Sequence, residues 1–404
     1  MIKGRLRGVV GGVDYNELGR FREGSENYRR GFMEAFNEGL ESGQIKPDQF
    51  RLRRLFEHLV EGGREILDSW NPENKGSSSY IMLREDGATI STADFNSISG
   101  QIIFAAVLEA WDNPMMLHPQ LMDDVQTPFR RERVPGLGNF GDIGQTIGEG
   151  KPYPTAGFNE EFQDTPETTK KGVITEVTKE AAFFDRLGQV LQHARDLTSI
   201  LLINKEIRCI DAAVGVTDSY SRNGGAVQAT YGASHTNGDF NNLKTSNGLT
   251  DWTNVEAAEL MFDDITDPNT GQPVMIDKTR MQILCATAKN YSATFALSPD
   301  VTRREDRGGS AAATIVETRG RNPVRQYPVL SNAYVKSRSS SSTTWWLGDF
   351  RGAFEYRQNW PITSVTRPAG SEAEFRRDII QESKISEMGT PWAKRPQLVV
   401  KNTA

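Results

Sequence analysis

The chain has 404 residues, of which 37% are hydrophobic, with 37 glycines and a formal net charge of −6. This length allows two or three domains and a sizeable core, yet the modest apolar content assigns much of the chain to loops or extended arms. Mild acidity argues against a dedicated nucleic-acid binder, which carries a basic patch or stripe, but not against a protein that encloses nucleic acid without gripping it. No run of eighteen apolar residues occurs, so no segment reads as a membrane span. The N-terminus carries basic residues without the apolar stretch of a secretory signal. Cys209 and Cys285 lie far apart and read as small buried hydrophobes of a reducing compartment, the cytoplasm.

In chain order, residues 1–75 read as a charged helical extension. The spacing predicts helices over 25–43 (Tyr28, Phe32, Met33, Phe36, Leu40) and 47–70 (Phe50, Leu55, Phe56, Leu59, Ile66). A turn-rich linker at 71–79 leads to a short hairpin, 80–83 against 88–90. A helix is expected over 92–111, where Phe95, Ile98, Ile102, Ile103, Ala106, Val107 and Ala110 share one side. A polar stretch rich in Gly and Pro then runs over 135–166. A β-like segment at 172–178 precedes one unbroken amphipathic helix over about 184–213. Its apolar positions are Leu187, Val190, Leu191, Ala194, Leu197, Ile200, Leu201, Ile207, Ile210 and Val214. At ~1.5 Å per residue that helix spans roughly 40 Å. A loop as long as 135–166 is uncommon inside a compact domain and is expected to reach a partner. Loop followed by long helix suggests a protein built to assemble.

Residues 215–248 form a second long polar stretch. Thr253 and Glu256 fit a capping box for a helix burying Val255, Ala258, Met261, Phe262 and Ile265. A turn at 267–271, a buried strand at 281–286, a basic Gly-rich loop at 303–307 and strand-like pieces near Val335 and 345–347 follow. Residues 337–344 read as a polar tip between strands. Strands and helices alternate irregularly, which favours an α+β fold.

Motifs for chemistry fail one by one. Gly136, Gly138 and Gly141 match GxGxxG, but the charged run Arg130–Arg133 precedes them and further glycines (Gly144, Gly148, Gly150) follow, so a flexible loop is expected rather than a helix N-terminus aimed at a phosphate. Residues 263–271 have the flavour of a calcium loop. With Asp267 as first ligand, however, Gln272 takes the glycine position and Lys278 the bidentate Glu position, so a plain turn is expected. His58, His118, His193 and His235 are isolated from each other and from both cysteines, so zinc spacing is absent. No GxSxG, P-loop or HExxH occurs. His193 is expected to be packed or solvent-facing, and the sequon at Asn290 has no meaning in a cytoplasmic chain. No catalytic, cofactor-binding or metal residue is predicted, and an enzyme, whether hydrolase or oxidoreductase, finds no support.

The last sixty residues are the most telling. Residues 345–350 read WWLGDF, 355–362 EYRQNWPI, 374–378 EFRRD and 389–400 GTPWAKRPQLVV. This order resembles the end of tailed-phage major capsid proteins with the Hong Kong 97 fold. There a Gly-Asp-Phe-like turn leads to a strand, a second strand begins near an acidic-Phe pair, and a Pro-x-x-hydrophobic strand closes the chain. Residues 168–180 look like the return of the extended E-loop into the spine helix, closest to the Mu-like head-subunit type. The resemblance covers about 135–404.

The resemblance implies an α+β Hong Kong 97-type architecture. It assigns 1–90 as an N-terminal helical arm or extension and 91–134 as the arm-to-peripheral helix. The E-loop is 135–169, and 170–214 is the peripheral domain with its spine. Residues 215–370 are mainly the axial domain, and 371–404 a C-terminal segment returning between the two. The implied protein is a phage or prophage head subunit that forms pentamers and hexamers and closes an icosahedral shell around double-stranded DNA. Scaffolding, portal and decoration proteins are the implied partners, the virion is the location and the host cytoplasm the place of assembly. An encapsulin-like compartment shares the fold and is the alternative; decoration or portal identity fits the C-terminal pattern less well. Some members cross-link an E-loop Lys to an Asn just after the Phe matching Phe375. Here Lys151 stands in the loop but Asp378 holds the Asn position, so a non-covalent shell is expected. The clusters around Arg130–Arg133 and Arg303–Arg304 are expected to pair with carboxylates of neighbouring subunits.

Overall fold

The computed structural model describes residues 7–8, 12–13, 20–21, 23–60, 64, 93–135, 162–178, 184, 187–235, 240–266, 273, 276–298, 302–306, 314–318, 325–368 and 377–404. The chain divides into two units. Unit 1 is Met1–Asn113, Lys170–Ile203 and Pro361–Glu387; unit 2 is Pro114–Thr169, Asn204–Trp360 and Met388–Ala404. The fold is α+β, as expected.

Unit 1 is built on helices α1 (Glu26–Glu41), α2 (Leu52–Leu59), α3 (Ala93–Trp111) and the first part of α4 (Leu187–Val214). Phe32 and Phe36, one turn apart on α1, are fully buried with stacked rings 6.0 Å apart, and Phe50 meets Phe36 edge-on at 5.7 Å. Such pairs add about 0.5–1.5 kcal/mol to area burial. Helix α1 stops just before Gly43, whose φ of +68° is a left-handed cap that glycine adopts at little cost. The chain then turns back so that Ile45 N–H donates to Gly39 O at 3.0 Å. Leu55, Ile98, Ile102, Leu191, Ala194 and Ile385 complete this core. Two long strands, Phe354–Pro368 and Ile379–Ala393, give residues to both units, and Thr169–Thr178 lies at the sheet edge beside the second.

Unit 2 centres on a five-stranded sheet ordered Val329–Ser331, Gln282–Cys285, Trp345–Gly348, Val399–Asn402, Leu243–Lys244. Trp345, Trp346 and Leu347 are fully buried on consecutive positions, so both faces of this central strand are covered. Helices α5 (Trp252–Asp263), α6 (Thr287–Ala296) and α7 (Ala333–Ser339) belong to the same unit. Helix α6 is the crossover that lets Gln282–Cys285 and Val329–Ser331 pair in parallel. Gly348 is required where it stands: a Cβ there would sit 2.2 Å from Leu398 O. Asp349 then caps a short helix, Phe350–Ala353, by accepting from Gly352 N–H at 3.0 Å. The Gly-Asp-Phe turn therefore does lead into the long strand Phe354–Pro368.

Several expectations are corrected. The second helix is a 3-10 turn, Pro47–Gln49, and then α2, with Phe50 extended between them. Val335 lies on helix α7, not a strand, because the Asn332 side chain accepts from Tyr334 N–H and starts a helical turn. The polar tip over 337–344 is thus partly helix. Arg303 and Arg304 sit in a strand, Thr302–Asp306, paired antiparallel with Thr314–Thr318, rather than in a loop. Helix α5 is capped by Asp251 with Asn254, two residues before the expected box, since a carboxylate accepts the free amides better than Thr253 does. Ile200 is 61% exposed and off the buried face, where Leu202 takes its place. Residues 80–90 and 267–271 lie outside the described residues.

Candidate functional site

The long polar stretch is closed at its root. Strands Arg133–Pro135 and Phe162–Asp164 pair antiparallel, so residues 136–161 begin and end at one place. Phe162 is clamped from the other side, because its N–H donates to Asn223 Oδ1 at 3.1 Å and its carbonyl accepts from Asn223 N–H at 2.8 Å. Asn223 and Gly224 both adopt positive φ, which shapes the turn that presents this double contact. Arg133 lies 3.1 Å from Asp164 and its guanidinium 4.4 Å from the Phe162 ring centroid. Below the root, Thr165 N–H donates to Glu132 O and Thr168 N–H to Arg130 O. Each such bond is worth about 1 kcal/mol. The root is a fixed platform.

That platform is tied into unit 2 by a charge network whose Glu355 and Arg357 are buried and whose Glu132 and Lys394 are half-buried. The Glu132 carboxylate accepts from Thr127 Oγ1 at 2.9 Å and Arg357 Nη1 at 3.3 Å. Arg357 also lies 2.7 Å from Glu355, which takes Lys394 Nζ at 3.1 Å. Two carboxylates and two cations close a neutral network, which is the condition for burying charge without large cost.

The unit-2 end of α4 carries a second set. Lys205, 1% exposed, donates to Asp124 Oδ2 at 2.8 Å and lies 4.3 Å from the Tyr356 ring centroid. The Glu206 carboxylate, fully buried, accepts from Leu117 N–H at 2.8 Å and His118 N–H at 2.9 Å, with His118 Nδ1 3.1 Å away. These are the free amides at the start of the short helix His118–Leu121, where a negative charge also suits the helix dipole. Asp211 holds Arg338 in a bidentate pair at 2.6 and 2.8 Å. Sequence reasoning missed these residues, although a signal existed: 205 and 206 continue the three-four stripe through Leu202, Cys209 and Ala213.

Of the residues singled out in the sequence, Gly136, Gly138, Gly141, Lys151 and Phe375 lie outside the described residues. Asp378 is exposed with a φ of 54°, a left-handed conformation that Asp and Asn tolerate, immediately before the strand Ile379–Ala393. Arg130 and Arg133 pair with Glu167 and Asp164 of their own chain, at 2.5 and 3.1 Å. The reason is local: root pairing brings those carboxylates opposite the arginines. The four histidines stay apart in role. His193 is exposed, while His235 is buried and stacked on Phe240. Burial pushes the Cys285 thiol up to about 11 and the Cys209 thiol further, so neither is poised as a nucleophile. Among the described residues, no cluster of three or more His, Cys, Asp or Glu that could hold a metal is found, and no helix is long and apolar enough to cross a membrane.

The paired strands Arg133–Pro135 and Phe162–Asp164 thus close the root of the polar stretch above a network of paired charges. Residues 162–402 match the model of the phage capsid protein family, and the chain, matched over more than half its length, belongs to that family. No curated protein matches the sequence. Among solved structures, the chain is similar to the capsid of cyanophage P-SCSP1u, at 9% identity, with 72% of this chain and 88% of that one covered and a TM-score of 0.42. It is similar to Gordonia phage Cozz at 13% identity, 72% and 86% coverage and a TM-score of 0.40. A virus-like particle from Pyrococcus furiosus gives 10% identity, 74% and 96% coverage and a TM-score of 0.37. The assignment rests on the family match.

Proposed function

We propose that this chain is the major head subunit of a tailed phage or prophage. It assembles through pentamers and hexamers into a closed icosahedral shell with the Hong Kong 97-type subunit architecture. The observation that carries the reading is the root: an ordered platform at Arg133–Pro135 and Phe162–Asp164 from which a polar, Gly-rich segment departs and to which it returns. Such a segment cannot form a core of its own, so its value lies between subunits. In this reading 135–169 is the E-loop, 170–214 the peripheral domain with its spine, 215–370 mainly the axial domain and 371–404 the returning segment. Residues 1–90 are an added arm. Scaffolding, portal and decoration proteins are the expected partners, in a virion assembled in the host cytoplasm. Catalytic, cofactor and metal residues have no place in it.

The expressed protein, with any scaffold supplied, should give closed shells in negative stain. Shells boiled in detergent should run as one band near 45 kDa, because Asp378 stands where a cross-linking Asn would be and a carboxylate is a poor electrophile toward an amine. Monomers or dimers alone would defeat the shell reading, and a ladder of multimers would defeat its non-covalent form. The family match favours a phage head over an encapsulin-like compartment, and the nucleic-acid content of purified particles separates them.

Enclosed duplex is held by confinement, without sequence readout, since a net charge of −6 does not favour adhesion to phosphate. The isolated subunit should therefore show no sequence-selective binding to duplex DNA at about 150 mM salt. Sub-micromolar, selective binding would replace this reading with a recognition role.

A further inference from the structure

Unit 1 contains a cavity of about 640 Å³ lined by the end of α1, the turn after it, α3 and α4. Its floor is apolar, with Leu40, Ile45, Phe104 and Leu108 among the lining residues. Its edge is acidic. Arg195 is already committed to Asp48 at 3.2 Å and Glu109 at 2.9 Å, which leaves the exposed carboxylates of Glu41 and Asp112 without a partner among the described residues. A volume of this order accommodates a large side chain or small ligand, and this lining suits an aromatic group accompanied by positive charge.

Unit 2 displays a group of that chemistry. Phe129 is 58% exposed, and Arg130 and Arg131 beside it are exposed as well. The backbone beneath the ring is held on both sides. Phe129 N–H donates to Thr127 Oγ1 at 3.2 Å, and Asn359 Nδ2 donates to the carbonyls of Thr127 and Phe129 at 3.0 and 2.9 Å. A large apolar ring kept in water on a pinned backbone has already met much of the ordering cost of binding. Arg130 is held by Glu167, whereas Arg131 has no partner among the described residues.

We propose that the Phe129–Arg131 knob of one copy docks into the acid-edged cavity of unit 1 in a second copy. Phe129 enters the apolar floor and Arg131 meets the unpaired carboxylates of Glu41 and Asp112. The two surfaces differ, so the contact is head-to-tail, the type that closes rings. The inference rests on the shell reading and names one contact between its subunits. It also gives the root of the excursion a role of its own, separate from that of residues 136–161.

The test compares full-length Phe129→Ala, Arg131→Glu, and Arg131→Glu combined with Glu41→Lys and Asp112→Lys. Folding is followed by thermal melting and shell yield by sedimentation. The first two variants should melt like the wild type but lower shell yield about tenfold or more, as a central aromatic or Arg anchor does. The charge-swapped combination should recover most of the loss caused by Arg131→Glu. In a second measurement, Arg131→Cys copies are mixed with Asp112→Cys or Glu41→Cys copies and oxidised after assembly. A disulfide-linked dimer should appear in the mixture and not in either preparation alone; Cys209 and Cys285 are buried and stay silent. Wild-type shells together with normal yield from Phe129→Ala and Arg131→Glu would overturn the docking while leaving the shell reading intact. Absence of the mixed dimer would overturn it too, and decides the matter if a charge variant fails to fold. Failure of the wild type to form any shell would remove the reading on which the proposal rests.

Discussion

Deleting residues 138–151 should leave a folded subunit that no longer builds stable shells. The root survives the deletion, because Arg133–Pro135 still faces Phe162–Asp164 and Asn223 still clamps Phe162. The remaining residues on either side easily close a gap between two paired strand ends, and halving a loop changes its closure entropy by only about 0.6 kcal/mol. The deleted sequence, GNFGDIGQTIGEGK, is polar and rich in Gly and so poorly suited to a core. The thermal midpoint should therefore move by no more than a few degrees, while the shell peak in a sedimentation gradient disappears. Normal shells from the deletion variant would show that residues 135–169 do not act between subunits.

The largest effect on folding is expected from Glu206→Ala. Removing this buried carboxylate strands the Leu117 and His118 amides, the His118 ring and a weak contact from Asn332 Nδ2 at 3.4 Å. Breaking one side of such a buried charged site costs about 3–5 kcal/mol, far beyond the ordinary effect of a surface change. At roughly 2–4 °C per kcal/mol the melting midpoint should fall by about 10 °C. Glu206→Gln should lose less, since it keeps one acceptor oxygen, but its amide N–H₂ group would face another donor. Equal melting of Glu206→Ala and the wild type would mean that these bonds contribute nothing net.

Much of the architecture is legible in the sequence. Helix α3 was expected over 92–111 and spans Ala93–Trp111, and α4 was expected over about 184–213 and spans Leu187–Val214. Both follow from apolar spacing, which survives because a helix must bury one stripe wherever it packs. The closing order of Gly-Asp-Phe turn, long strands and Pro-x-x-hydrophobic strand was also visible, since Gly348 and Asp349 have local reasons to be what they are. Errors arose where local signals were weak or competed. Val335 has a strand-forming side chain, but the Asn332 cap and the packing of a short helix overrode that preference. Thr253 and Glu256 look like a capping box, yet Asp251 stands two residues earlier and captures the role.

By itself, the sequence determined that the protein is α+β and that a long helix follows a polar, Gly-rich stretch. These properties live in spacing and composition over a few turns. Only the tertiary structure decided that α4 serves two cores, one through Leu191 and Ala194 and the other through Ile210 and Ala213. The same holds for Lys205 and Glu206, which stand inside the apolar stripe, and for Arg130 and Arg133, whose carboxylates lie more than thirty residues away in the chain. Whether a charge is buried, and against what, depends on partners brought together by folding. A buried ion is tolerated only when those partners arrive with it.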